Sequence, residues 1–234
     1  MEEFMTAGFW LAVGQIIMID ILLGGDNAVV IALACRNLPG KLRTQGIVYG
    51  TMGAIVLRVI LIAFALALLS VPYLKIVGAV LLLWIGVKLL QPEDEGDHNI
   101  SSSDKLWAAV KTVIIADLVM SIDNVLAIAG AAQGAQQQHQ LPLVIFGLLV
   151  SIPIIVGGSQ LVLKLMQRFP VVITLGAMLL GWIAGQMAYS DPAIKAYLPE
   201  APFWAYLAAA AGALLVLVVG KIMQMRSKKP AGAA

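Results

Sequence analysis

Hydrophobic residues fall in long blocks along this chain, broken by short polar interruptions. They show neither the alternation of a half-buried strand nor the narrow apolar stripe of a soluble helix. One helical crossing of a bilayer needs about 20 mostly apolar residues. Seven blocks meet that need, near residues 8–35, 46–69, 73–91, 107–132, 142–165, 170–189 and 203–223. The pattern predicts an all-α polytopic membrane protein with seven transmembrane helices. Turns are marked by Pro39-Gly40, by Pro72, by the acidic stretch from Pro92 to Asp104, by the glutamine-rich stretch from Gln133 to Gln140, by Pro170, and by the region from Pro192 to Pro202.

Composition agrees with that reading. Of 234 residues 61% are hydrophobic and 12% charged, whereas a soluble domain has roughly a quarter charged residues. The net charge of +2, spread over short clusters between apolar blocks, excludes a nucleic-acid partner and leaves the lipid bilayer as the main one. The single cysteine, Cys35, has no partner for an internal disulfide and reads as a small apolar filler. The start, Met1-Glu2-Glu3-Phe4, is acidic where a secretory signal is basic, and the apolar run behind it is too long for a signal core, so the first span is expected to be retained.

Lysine and arginine set an orientation. Alternate connections carry Arg36, Lys41 and Arg43; Lys88, Lys105 and Lys111; Lys164 and Arg168; and Lys221, Arg226, Lys228 and Lys229, while the other side holds Lys75 and Lys195. By the positive-inside rule the first set is cytoplasmic, with the amino terminus outside and the carboxyl terminus in the cytoplasm.

The chain also repeats itself. Asp20-Ile-Leu-Leu-Gly-Gly-Asp26-Asn27 recurs 97 positions later as Asp117-Leu-Val-Met-Ser-Ile-Asp123-Asn124. Gly78-Ala-Val-Leu-Leu-Leu-Trp84-Ile-Gly-Val-Lys88 aligns with Gly176-Ala-Met-Leu-Leu-Gly-Trp182-Ile-Ala-Gly-Gln186, and Gly50 falls opposite Gly147. Spans one to three and four to six are two copies of one unit. Three crossings per copy force the second to be inverted relative to the first, a pattern of secondary transporters whose substrate site lies near the midplane. The expected organisation is one membrane transport domain over 1–234: a first copy near 8–91, an acidic cytoplasmic loop at 92–106, a second copy near 107–189, and an extra helix at 203–223.

The acidic phrases lie inside spans, where an ionised carboxylate costs about 2.5 to 3.5 kcal/mol on the lenient insertion scale. Four carboxylates there need compensation, and a divalent cation supplies it. On a regular helix Asp20 and Asn27 share a face, as do Asp117 and Asn124, while Asp26 and Asp123 point about a third of a turn away. A local break at Gly24-Gly25, and one near Ser121, would let these groups converge and free backbone carbonyls as further ligands. Four carboxylates and two amide oxygens suit magnesium, calcium or manganese, and suit zinc or copper poorly. Both histidines, His98 and His139, fall in connections. Asp26 and Asp123 are the stronger ligand candidates; Asp20 and Asp117 read equally as supporting or proton-carrying groups. Met120 is the soft donor nearby, with metal selectivity as one reading and apolar filling as the other. Arg58, basic in mid-span, either neutralises the cluster or anchors one aspartate. Near its counterpart Ile155 stand Pro153 and Gly157-Gly158, a signal for a bend. The acidic residues Glu93, Asp94, Glu95 and Asp97 read as a solvated loop before a cation-gathering one.

Through the paired phrases Asp20 to Asn27 and Asp117 to Asn124 and the seven-span layout, the chain resembles the TerC family of integral membrane proteins, and within it the bacterial YjbE-like metal transporters. The resemblance extends from Phe9 to about Met223 and reaches the LysE-like exporters. It implies a bacterial cytoplasmic membrane protein for manganese efflux, with Asp20, Asp26, Asn27, Asp117, Asp123 and Asn124 forming the manganese site. Mn2+ is then transported substrate, with no organic cofactor. The glutamine-rich connection and the basic tail match no motif of the family.

No nucleotide-binding loop is present to drive transport with ATP. Crowded carboxylates take up protons when empty and release them to a cation, so the expected mechanism is alternating access with proton exchange, and not enzyme catalysis. Alternatives are a Ca2+ or Mg2+ exchanger using the same oxygens, an amino-acid exporter, and a membrane scaffold or insertion partner of other proteins in which the aspartates only hold helices together; each is compatible with a homo-oligomer.

Overall fold

The computed structural model describes residues 7–64, 71–91, 101–132, 140–199 and 201–227. Among them are seven long helices and one single-turn helix: α1 (Ala7–Cys35), α2 (Gly40–Ala63), α3 (Leu74–Leu90), α4 (Ser102–Ala132), α5 (Gln140–Arg168), α6 (Val171–Tyr189), α7 (Pro192–Lys195) and α8 (Pro202–Ser227). Four stretches are long and apolar enough to cross a membrane: Gly40–Ile62, Ile145–Arg168, Val171–Tyr189 and Pro202–Met225. The distribution of side chains is that of a protein in lipid. Trp84, Leu161, Phe203 and Leu214 lie on the outside, while Asn27, Thr51, Arg58, Asp117 and Ser121 are buried within.

Two groups of helices make up the bundle. In one, α6 packs along α8 and α3, and α3 also touches α8. In the other, α2 packs on α4, α5 on α1, and α1 on α4. Lipid is as apolar as leucine, so close backbone approach, rather than removal from water, holds such helices together. Gly181, Gly185 and Gly212 provide it: a Cβ at any of them would collide with the facing backbone, Gly181 and Gly185 against α8 and Gly212 against α6. Gly78 is pressed between Val119 and Met187, and Gly176 against Val29 and Leu33, which joins the two groups.

The helix ends follow from local chemistry. Pro39, extended at φ −68° and ψ 153°, precedes α2, and Arg43 turns back to donate to the carbonyls of Leu38 (3.0 Å) and Arg36 (3.1 Å) at the end of α1. Helix α4 starts earlier than the apolar pattern predicts. Ser101 accepts from the Asp104 amide (3.1 Å) and donates to its carboxylate (2.8 Å), a capping pair inside the stretch expected to be loop through 106. Helix α2 likewise starts at Gly40 rather than 46, because its first turns carry Lys41 and Arg43 outside any apolar window; its expected continuation over 65–69 lies outside the described residues, as do 92–100 and the glutamine-rich residues 133–139.

Two expected irregularities are absent. Both acidic phrases run as continuous helix, through Gly24-Gly25 in α1 and through Ser121 in α4. A glycine costs a helix only about 1 kcal/mol, less than leaving backbone groups unpaired in an apolar interior. Helix α5 runs as one helix through Pro153, where a bend is expected.

The turn after α6 holds a carboxylate whose role sequence reading misses. Asp191 accepts from the backbone N–H groups of Tyr73 (3.1 Å), Lys75 (3.0 Å), Ile76 (3.2 Å) and Ala193 (2.8 Å). One side chain thus caps both α7 and the distant start of α3, where Tyr73 takes the left-handed φ of 65°. Burial opposes its charge, but the four N–H groups outweigh burial and hold the carboxyl below its ordinary range.

Candidate functional site

Inside the second group of helices, α1, α2 and α4 each bring a polar residue from the sequence phrases, or near them, to one place. Arg58 of α2 pairs through Nη2 with Oδ1 of Asp117 on α4. Its Nε donates to Ser121 Oγ at 3.1 Å, and that hydroxyl donates to Asp117 Oδ2 at 3.1 Å. Residues 117 and 121 are one turn apart, so an unbroken α4 is what aligns hydroxyl and carboxylate on the arginine. Ser121 therefore serves a side-chain network and not a broken backbone. Arg58 and Asp117 are only 3% and 6% exposed, so neither charge could stay there without the other.

Asp26 of α1 is half-buried, accepts from the backbone N–H of Asn27 at 2.9 Å, and feels the charges of both Arg58 and Asp117. The Asn27 side chain is 4% exposed, and among the described residues neither its amide oxygen nor its nitrogen finds a hydrogen-bond partner. A buried amide without a partner costs about 1–3 kcal/mol, a cost that a bound cation would relieve at the oxygen. Thr51 repeats the situation on α2: its hydroxyl is buried and has no partner among the described residues, and it stands seven residues before Arg58, on the same helical face. That spacing is the signal by which sequence reading could have found it.

The remaining candidates divide. The helical backbone carries Asp20, Asp123 and Asn124 in the expected spans, but their side chains lie outside the described residues. Among the described residues no three His, Cys, Asp or Glu side chains converge on a common point. Met120 is buried in an apolar cluster with Val30, Leu82, Val119, Leu180 and Met187. Cys35 is buried with Leu33, Leu38, Ile47 and Leu106, as its filler role predicts. Among the described residues the site is thus one guanidinium shared between a carboxylate and a hydroxyl on the next helix.

An apolar exterior around a buried polar cluster defines a multi-pass integral membrane protein. Residues 5–229 match the integral membrane protein TerC family, and the chain belongs to that family. It is 42% identical over 185 residues to the membrane protein YjbE of Bacillus subtilis (strain 168), covering 79% of this chain and 82% of that one. It is 28% identical over 232 residues to YceF of the same organism, covering 95% and 87%. Over 194 residues it is 23% identical to the inner membrane protein YoaE of Escherichia coli (strain K12), covering 75% of this chain and 36% of that protein. No solved structure matches the chain.

Proposed function

We propose that this protein is a secondary transporter that exports a divalent cation, Mn2+ first, across the bacterial cytoplasmic membrane in exchange for protons. The observation that carries the reading is the buried Arg58–Asp117 pair, from one copy of the phrase, with Asp26 of the other copy feeling both of its charges, inside a bundle whose surface is apolar. Asp20, Asp123 and Asn124 would complete the oxygen set, near the bilayer midplane. Reciprocal packing supports two inverted copies and seven spans: α2 lies on α4, the first helix of the other copy, as α5 lies on α1. The gathering of Arg36, Lys41, Arg43, Lys88, Lys164 and Lys221 at one end supports a cytoplasmic placing of that end, with the amino terminus outside.

In this mechanism Arg58 occupies Asp117 while no cation is bound, and an arriving cation displaces Arg58 from Asp117 and protons from the other carboxylates. Moving a doubly charged ion outward against the membrane potential costs about 4.6 kcal/mol per 100 mV, and inward proton flow supplies it. A second reading, exchange of Ca2+ or Mg2+, is favoured by one observation: Met120, the soft donor that would select manganese, is packed among apolar side chains.

Calorimetric titration of the detergent-purified protein with Mn2+, Ca2+ and Mg2+ tests the site. Mn2+ binding is expected to weaken at least tenfold in folded Asp26→Asn and Asp123→Asn variants. Wild type that binds no cation, or variants that bind as well as wild type, would leave the aspartates as helix-holding groups. Manganese flux in liposomes that ignores an imposed pH gradient would remove proton exchange.

A further inference from the structure

The buried face of α2 carries Thr51 and Arg58 among the apolar Ile47, Ala54, Ile55 and Leu61. Seven residues return an ideal helix to within about 20° of the same direction. Arg58 uses that direction to meet Asp117 and Ser121 on α4, so Thr51 is turned toward α4 as well. Its level is fixed by its neighbours. A Cβ on Gly50 would meet Val113, and one on Gly53 would meet Ile114. Thr51, between them, stands beside that pair, about one turn, or roughly 5 Å along the axis, short of Asp117.

The Thr51 hydroxyl is not spent on the fold. Other helical hydroxyls of this chain are returned to their own backbone: Thr112 donates to the Ala108 carbonyl, Ser151 to Leu148 and Ser159 to Ile155, each at 2.8 Å. Thr51 is 2% exposed, and its oxygen has no hydrogen-bond partner among the described residues, the Ile47 carbonyl one turn back included. Asn27 of α1 is in the same condition, and the two stand alike. Helix α1 runs toward the connection between Cys35 and Gly40, and α2 runs away from it. Asn27 lies one turn before Ile31 and Thr51 one turn after Ile47, and both isoleucines belong to the apolar cluster with Leu38, Leu106 and Val113 that fills this end of the bundle. On α1 and α2 these are the first buried polar side chains inside that layer.

A hard divalent cation takes uncharged oxygens along with carboxylates, and a desolvated oxygen without a partner gains by receiving one. We propose that Thr51 is a further cation-coordinating residue: its hydroxyl oxygen receives a partly dehydrated divalent cation one turn from Asp117, on the side where α2 begins. The inference rests on the cation reading of the aspartates given above, and adds an oxygen of α2 to those that hold the ion.

Calorimetric titration of the full chain in detergent with Mn2+, joined to melting of the same samples, tests it in Thr51→Val, Thr51→Ser and Thr112→Val. Valine keeps the shape of threonine and removes the oxygen. Thr51→Val is expected to raise the Mn2+ dissociation constant at least fivefold while melting no lower than wild type, because no hydrogen bond is lost. Thr51→Ser, which keeps the hydroxyl, should bind within about twofold of wild type, and so should Thr112→Val, whose hydroxyl serves its own helix. A structural role for the hydroxyl would lower the melting temperature of Thr51→Val and leave its dissociation constant unchanged. That result, or Thr51→Val binding as wild type while Asp26→Asn binds at least tenfold more weakly, would overturn Thr51 as a ligand and leave the aspartate site standing. Wild type that binds no Mn2+ would overturn both.

Discussion

Arg58 and Asp117, 59 residues apart in the chain, close a buried ion pair that joins α2 to α4 and is completed by Ser121. Removing one partner strands the other charge in an apolar interior, at a cost of about 3–5 kcal/mol, while replacing both with apolar residues of similar volume is often neutral. Arg58→Met should therefore be strongly destabilised, and Arg58→Met/Asp117→Leu should recover more than half of the loss. Equilibrium unfolding in detergent measures both. A double variant no better than the single one would mean that the pair matters only through its arginine.

Asp191 predicts a pH dependence whose sign follows from its four N–H partners. Its folded pKa lies below the ordinary value, so the unfolded chain binds more protons there and stability rises with pH. That contribution is complete above the ordinary carboxylate value of about 3.9 and disappears as pH falls through the lower folded value. Comparing melting temperatures of wild type and Asp191→Asn should show their difference shrinking below about pH 4. Asp191→Ala should cost about 1–2 kcal/mol near neutrality from lost capping.

Glycines on α6 and α5 should respond with opposite signs. A side chain at Gly185 meets the Ala208 carbonyl of α8, and Gly185→Leu is expected to lose about 1–3 kcal/mol by overpacking. A Cβ at Gly157 meets nothing within 4 Å, so Gly157→Ala should be neutral or gain about 0.5–1 kcal/mol of helix propensity. Melting temperatures of the two variants decide it.

Cys35 is enclosed by Leu33, Leu38 and Ile47. In the folded protein it should resist a bulky maleimide, and react within minutes once the chain is denatured. Labelling of native protein at the denatured rate would place this end of α1 in an open form.

Much of this architecture can be read from the chain because apolar blocks and prolines coincide with helix limits. The expected 8–35, 73–91 and 170–189 became Ala7–Cys35, Leu74–Leu90 and Val171–Tyr189. The shift at α2 has a plain cause: a hydropathy window begins where lipid begins, whereas the helix begins at Pro39-Gly40 in the polar zone. The site was legible as a list of residue types. That Arg58 takes Asp117 as its partner was not, because sequence offers one mid-span cation and four carboxylates with nothing to choose among them. Asp191 shows the same limit. Its place before Pro192 announces the cap of a short helix, but its bonds to Tyr73, Lys75 and Ile76 cross more than a hundred residues.

Those bonds have a mechanical meaning. Asp191 fastens the far end of α6 to the start of α3, while Gly181, Gly185 and Gly212 seat α8 against α6 at backbone distance. Helices α3, α6 and α8 are consequently one fastened unit, bolted at one end and zipped along its length. The polar cluster belongs wholly to the helices outside it, and Gly78 and Gly176 are the seams where the two meet.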